Sequence, residues 1–176
     1  MPTLYHGLIP MKVGIDMTTK LTVLISGGTS GVGLAIAKSF AKLGADLTLI
    51  GRQPQKAQAA ASRLAALPGH PTVSTLLGDL SDPTTNQQLA QAFLATHDHL
   101  DVLVNSAGTL PTSGDENISV NLQSHYWLTH HLTPALAQAA VPRVFVITGA
   151  PLAIKLAPIN EGQRTTLARG AWLFDA

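Results

Sequence analysis

The sequence predicts an α/β fold, a doubly wound parallel sheet of about five strands. Two observations carry this reading. Five short runs, 21–26, 46–50, 72–78, 101–105 and 143–148, are rich in Val, Ile and Leu with little polar alternation. Strands of that kind are covered on both faces, as in a parallel sheet. Longer amphipathic segments separate the runs, so strands and helices alternate from residue 21 onward. Such alternation implies right-handed crossovers and helices on both sides of the sheet.

Length and composition agree with one globular domain. The chain has 176 residues, enough to bury a core, and it is 45% hydrophobic and 12% charged, too apolar for disorder. A net charge of +1 gives no broad electrostatic case for nucleic acid or a membrane surface. With no cysteine, disulfides, thiolate catalysis and cysteine metal sites are excluded. No apolar run approaches the ~18 residues that span a bilayer. Residues 1–19 lack a basic segment followed by an apolar core, so they do not read as a secretory signal, and a cytoplasmic protein is expected. Pro2, Gly7 and Pro10 argue against regular structure there. An irregular extension is therefore expected over 1–19 and the domain over 20–176.

The helices follow in order. In the first, Val32, Ile36, Phe40 and Leu43 step at helical spacing opposite Lys38 and Lys42, and Gly44 is expected just past its end. Pro54 suits the first turn of the second, whose stripe is Ala57, Ala61 and Leu64 ahead of Pro68-Gly69. Asp82-Pro83 reads as the N-cap and first residue of the third, with Leu89 and Phe93 behind it. One long helix is expected over 118–139, with Leu122, Tyr126, Leu132 and Leu136 on one stripe and a kink at Pro134. A short final helix is expected over 163–174.

Gly27, Gly31 and Gly33 stand as G-x-x-x-G-x-G between the first strand and the first helix. Glycine permits the tight turn and lets backbone N–H groups approach a phosphate, while the helix N-terminus adds partial positive charge. The expected ligand is the pyrophosphate of a dinucleotide; the alternative is a glycine-rich turn that holds nothing. A P-loop is excluded, because Leu34-Ala35 occupy the positions where it needs Lys and Ser or Thr. The second strand ends Leu49-Ile50-Gly51-Arg52-Gln53, with no acid for a ribose 2′-hydroxyl. Arg52 suits a 2′-phosphate through charge-assisted hydrogen bonds, which favours NADP over NAD. Asn121 falls mid-helix, where Asn has poor propensity, and that points to a specific role. His97 with His99, and His130 with His131, lack the spacing to face one metal from a helix. They read as surface residues without acidic partners, and no metal site is expected.

In this context the sequence resembles the short-chain dehydrogenase/reductase family. The first loop, Ser26-Gly27-Gly28-Thr29-Ser30-Gly31-Val32-Gly33, is similar to that family's T-G-x-x-x-G-x-G. Asp79-Leu80 follows the third strand, where the family contacts adenine. Asn105-Ser106-Ala107-Gly108 follows the fourth and resembles the family's N-N-A-G. Val120-Asn121-Leu122 resembles the helix motif with the family's structural and catalytic asparagine. Four ordered motifs thus cover 21–149. The resemblance implies a Rossmann-like sheet in the order 3-2-1-4-5, without the last strands of the full family fold. It also implies hydride transfer between a nicotinamide and a small carbonyl or alcohol, and a possible homo-oligomer.

The family's catalytic tyrosine, lysine and serine have no clear counterpart. The tyrosines are Tyr5 and Tyr126, both before the fifth strand, and no lysine follows Lys155. The best register puts Thr165 at the tyrosine position, Arg169 at the lysine position, and Thr148 near the serine. An aliphatic hydroxyl is far too weak an acid to replace a tuned phenol at neutral pH. Two readings follow: an NADP-dependent short-chain oxidoreductase, or an NADP-binding protein that is truncated and catalytically inactive, a pseudoenzyme or nucleotide-sensing module.

Overall fold

The computed structural model describes residues 20–109 and 114–147. Strands β1 (Thr22–Ser26), β2 (Asp46–Gly51), β3 (Thr72–Leu77), β4 (Val102–Asn105) and β5 (Arg143–Val146) form one parallel sheet in the order β3-β2-β1-β4-β5. Around it lie α1 (Gly31–Lys42), α2 (Pro54–Ala65), α3 (Pro83–Leu94), α4 (Gly114–Ile118) and α5 (Ser124–Leu136). A five-residue π turn, Ser119–Gln123, joins α4 to α5. This is the Rossmann-like, doubly wound sheet that the sequence predicts.

The chain winds outward from β1 to β3, then returns across the sheet to lay β4 beside β1. Connections from β1 and β4 therefore leave neighbouring strand ends in opposite directions. That opens a crevice at the carboxyl ends of the strands, where open α/β sheets bind their ligands.

Side-chain alternation along the strands feeds two apolar layers. Val23, Ile25, Leu47, Leu49, Val102 and Val104 pack with Ala37, Ala41 and Leu64 of α1 and α2. Leu24, Ile50 and Leu103 point the other way, to Leu89 and Phe93 of α3 and Leu128 and Leu132 of α5. Strands β1 and β4 are buried throughout. The expectation of full cover fails for the two edges of the described sheet. Strand β3 is half exposed, and Val144, Phe145 and Val146 of β5 face solvent. Apolar composition does not separate a central strand from an edge strand.

Helix register also differs from the sequence reading. The buried face of α1 is Gly33, Ala37 and Ala41, with Ile36 and Phe40 half-buried at its side; Val32 is 58% exposed and Leu43 is also outside. Small residues let the helix lie close on the sheet, so the largest side chains flank the contact. In α2 the stripe is Ala57, Ala60 and Leu64. The long helix expected over 118–139 is broken by the π turn. Its buried face is His125, Leu128, Leu132 and Ala135, while Leu122 is 65% exposed and Tyr126 is exposed too. Leu122 and Tyr126 are four residues apart, but Tyr126 and Leu132 are six, so these residues never shared one face. Helix α5 ends at Leu136, two residues past Pro134, which has no N–H for the helical ladder.

The punctuation is as expected. Gly44 follows α1 at φ +77°. The Asp82 carboxylate caps α3, accepting from the N–H groups of Thr84 and Thr85. The extension over 1–19 and the helix over 163–174 lie outside the described residues.

Candidate functional site

The loop after β1 is shaped by close backbone contact. Gly27 has φ +67°, and a Cβ on it would stand 2.9 Å from the backbone of Ala107. A Cβ on Gly33 would stand 2.5 Å from the Gly27 carbonyl oxygen. Gly31 has φ +53°, and nothing lies within 4 Å of where its Cβ would be. Ser30, the N-cap of α1, makes no side-chain capping bond, and no acid stands in the first turn. First-turn N–H groups have no partner within a helix. The result is an open, positively polarised cradle that fits the pyrophosphate of a dinucleotide. In α3 the corresponding groups are taken by Asp82.

Eight of the expected cofactor residues converge on one open cleft: Gly27, Thr29, Ser30, Arg52, Asp79, Leu80, Ala107 and Gly108. Ile50, Gly51, Gly78 and Val120 complete its lining. None of these four was an expected cofactor residue, although Ile50, Gly51 and Val120 stand within the motifs read from the sequence. For Gly51 a signal existed, a glycine at the end of an apolar strand: a Cβ there would meet the Thr29 methyl at 2.5 Å.

Other expected residues shape the cleft from behind. Ser26 is fully buried, and its hydroxyl accepts from the N–H groups of Ser106 and Ala107, each at 3.1 Å. Asn105 is fully buried and donates to the Thr129 hydroxyl at 2.9 Å. Asn121 sits on the π turn instead of mid α-helix. It accepts from the Thr109 N–H at 2.9 Å and donates to the Thr109 carbonyl at 3.1 Å and to Asn117 at 2.8 Å. Val32 is exposed on α1 and its side chain is not part of the cleft lining. Thr148, Thr165 and Arg169 lie outside the described residues.

Arg52 faces Asp79 across the cleft, Nη1 to Oδ2 at 3.8 Å, with both side chains exposed. The sequence suggested a separate task for each and no pairing. The Ser81 backbone N–H holds the Asp79 carboxyl below its ordinary value, and Arg52 adds to the effect. An exposed pair of this kind contributes at most ~1 kcal/mol. Arg52 is thus available to a more highly charged partner. Asn86, fully buried, donates to the carbonyls of Leu80 and Asp82 at 2.7 and 2.8 Å and holds the Asp79-Leu80 stretch in place.

Among the described residues no histidine lines the cleft, and one touches its wall. His99 Nε2 lies 3.4 Å from Asp101 and 3.2 Å from the Thr22 hydroxyl, at the amino ends of the strands. It has the acidic partner that the sequence reading did not expect. His97 stacks on Phe93. His130 and His131 stack on Tyr126 and Trp127 of α5. The one at the wall is His125, buried, with Nε2 2.8 Å from the Ala107 carbonyl.

Comparison with known proteins agrees with this geometry. The short chain dehydrogenase profile matches residues 21–150, a span that contains every residue of the cleft. The chain belongs to the short-chain dehydrogenase family. This short-chain dehydrogenase is 33% identical over 129 residues to retinol dehydrogenase 11 of Homo sapiens, covering 69% of this chain and 41% of that protein. It is 30% identical over 142 residues to a probable oxidoreductase of Streptomyces antibioticus, covering 76% and 46%. The chain thus spans less than half the length of these relatives. Among solved structures, the Pseudomonas aeruginosa RhlG/NADP active-site complex superposes with a TM-score of 0.71 at 27% identity, over 87% of this chain and 62% of that one. A metagenomic short-chain oxidoreductase in complex with NADP gives 0.65 at 28% identity, over 73% and 62%. Thr165 and Arg169 lie beyond the matched span of the family.

Proposed function

We propose that this short-chain dehydrogenase binds NADP(H) in the cleft at the ends of β1, β2 and β4, and serves an oxidoreductase acting on a small carbonyl or alcohol. The observation that carries the reading is the place of Arg52. It directly follows β2, inside the same cleft as the glycine loop, where an acid would repel a 2′-phosphate. Two structural neighbours are described as NADP complexes, which supports the same choice.

In this reading the bound cofactor supplies hydride to the substrate. The first turn of α1 takes the pyrophosphate on its N–H groups, Arg52 takes the 2′-phosphate, and the Asp79-Leu80 stretch meets the adenine. Fluorescence titration with NADPH and NADH tests it. NADPH should bind more tightly, and Arg52→Ala should weaken NADPH by about tenfold or more, as loss of a charge-assisted hydrogen bond does, while leaving NADH unchanged. A preference for NADH would overturn the role of Arg52.

A second reading, cofactor binding without catalysis, is favoured by the tyrosines. Tyr126, the tyrosine among the described residues, is 59% exposed on α5 and does not line the cleft. Following NADPH oxidation over a panel of ketones and aldehydes separates the two: turnover supports the first, and binding without turnover the second. Self-association through the exposed face of β5 belongs to the same proposal and is read by sedimentation.

A further inference from the structure

His125 is a polar exception on an apolar face. It shares the buried side of α5 with Leu128, Leu132 and Ala135, and it is only 8% exposed. Its Nε2 stands 2.8 Å from the Ala107 carbonyl oxygen. A carbonyl only accepts, so this nitrogen carries the proton. Ala107 lines the cleft and lies hard against the glycine loop, since a Cβ on Gly27 would come within 2.9 Å of its backbone.

The contact is one of a series. Asn121, His125 and Thr129 are four residues apart along the helix. Their partners, Thr109, Ala107 and Asn105, are two residues apart along the segment that leaves β4. Between His125 and Thr129 four residues of α-helix rise ~6 Å, close to the ~6.6 Å that two extended residues span, so helix and segment run side by side, and Asn121 of the π turn continues the line. From the other side, the Ser26 hydroxyl holds the N–H groups of Ser106 and Ala107. The segment is therefore held from both sides: Ser26 of β1 takes the N–H groups of Ser106 and Ala107, while His125 of α5 takes the Ala107 carbonyl, Thr129 the Asn105 side chain, and Asn121 of the π turn both backbone groups of Thr109.

We propose that His125 is a positioning residue of the cofactor cleft: by donating to the Ala107 carbonyl it sets the wall of Ala107 and Gly108 against the glycine loop. The proposal rests on the cofactor reading above. Without this donor the carbonyl loses its partner and the segment samples other positions. Only the binding-competent fraction then takes cofactor, and the apparent Kd rises by the inverse of that fraction.

The test uses the full chain, with NADPH fluorescence titration and thermal melts on wild type, His125→Leu and His125→Gln. Leucine is apolar and suits the buried face, but it has no donor. Glutamine places an amide N–H near the position of Nε2. His125→Leu should weaken NADPH binding by about tenfold, the loss of one hydrogen bond to a group left unpaired. His125→Gln should recover most of that loss. A packing role predicts the opposite order. Wild-type affinity in His125→Leu, or equal weakness in both variants, would overturn the proposal. If His125→Leu does not fold, His125→Met against His125→Gln makes the same comparison. Wild-type protein that binds neither NADPH nor NADH overturns the cofactor reading and this proposal with it; unchanged affinity in His125→Leu, with wild type binding, overturns this proposal alone.

Discussion

Gly31 and Gly33 stand two residues apart in the first turn of α1 and answer to different constraints. At Gly31 the constraint is conformational: φ is +53°, but the space around a Cβ is open. At Gly33 it is steric, because the Cβ would stand 2.5 Å from a backbone oxygen that cannot swing away. Gly31→Ala should therefore cost about 1 kcal/mol, the strain of a left-handed residue with a side chain. Gly33→Ala should cost about 2–3 kcal/mol, as overpacking does, and should abolish NADPH binding by displacing Gly27. Urea melts and a titration of both variants check this; equal behaviour would mean that the close approach of Gly27 and Gly33 is not real. The spacing of the glycines was legible in the chain, because a strand, a turn and a helix start make local demands. Which glycine meets which constraint was not, because the partner atoms belong to other turns of the backbone.

At the scale of the element, the five strands and helices α1 to α3 were legible, while α4 and the π turn were not, and the face a helix buries was not always so. In the helix expected over 118–139 the stripe ran through Leu122, yet that residue, on the π turn, is 65% exposed, and Leu128 of α5 is fully buried. Leu128→Ala should destabilise the protein by about 2–5 kcal/mol, and Leu122→Ala by less than about 0.5 kcal/mol. Chemical denaturation of the two variants gives the answer, and the reverse ranking would restore the uninterrupted helix. Two causes lie behind the error. Tyr126 and Leu132, six residues apart, do not share a helical face, and a π turn adds a residue to one turn and rotates everything after it, which nothing in the local residue pattern announces. The same turn brings Asn121 into line with His125 and Thr129, so the break in the helix and the polar contacts with the segment after β4 belong together.

For the whole molecule, the consequence of the sheet order is a cleft assembled from five separate stretches of chain. A ligand that bridges them should stabilise all of them at once. NADPH at a hundred times its Kd should add about 2.7 kcal/mol and raise Tm by roughly 5–10 °C, with a smaller shift from NADH at the same concentration. A melt that is indifferent to both cofactors would count against the cleft as their site. The alternation of elements, the glycine loop, the cap at Asp82 and the absence of an acid at the end of β2 were all readable from the chain alone. Each depends on neighbours within a few residues, where periodicity and backbone preference act directly. The pairing of Arg52 with Asp79, the exposure of β3 and β5, the burial of Ser26 and the grip of His125 on Ala107 came only from the folded arrangement. They join residues up to 81 positions apart, and such contacts are set by the order of strands in the sheet and the register of helices against it.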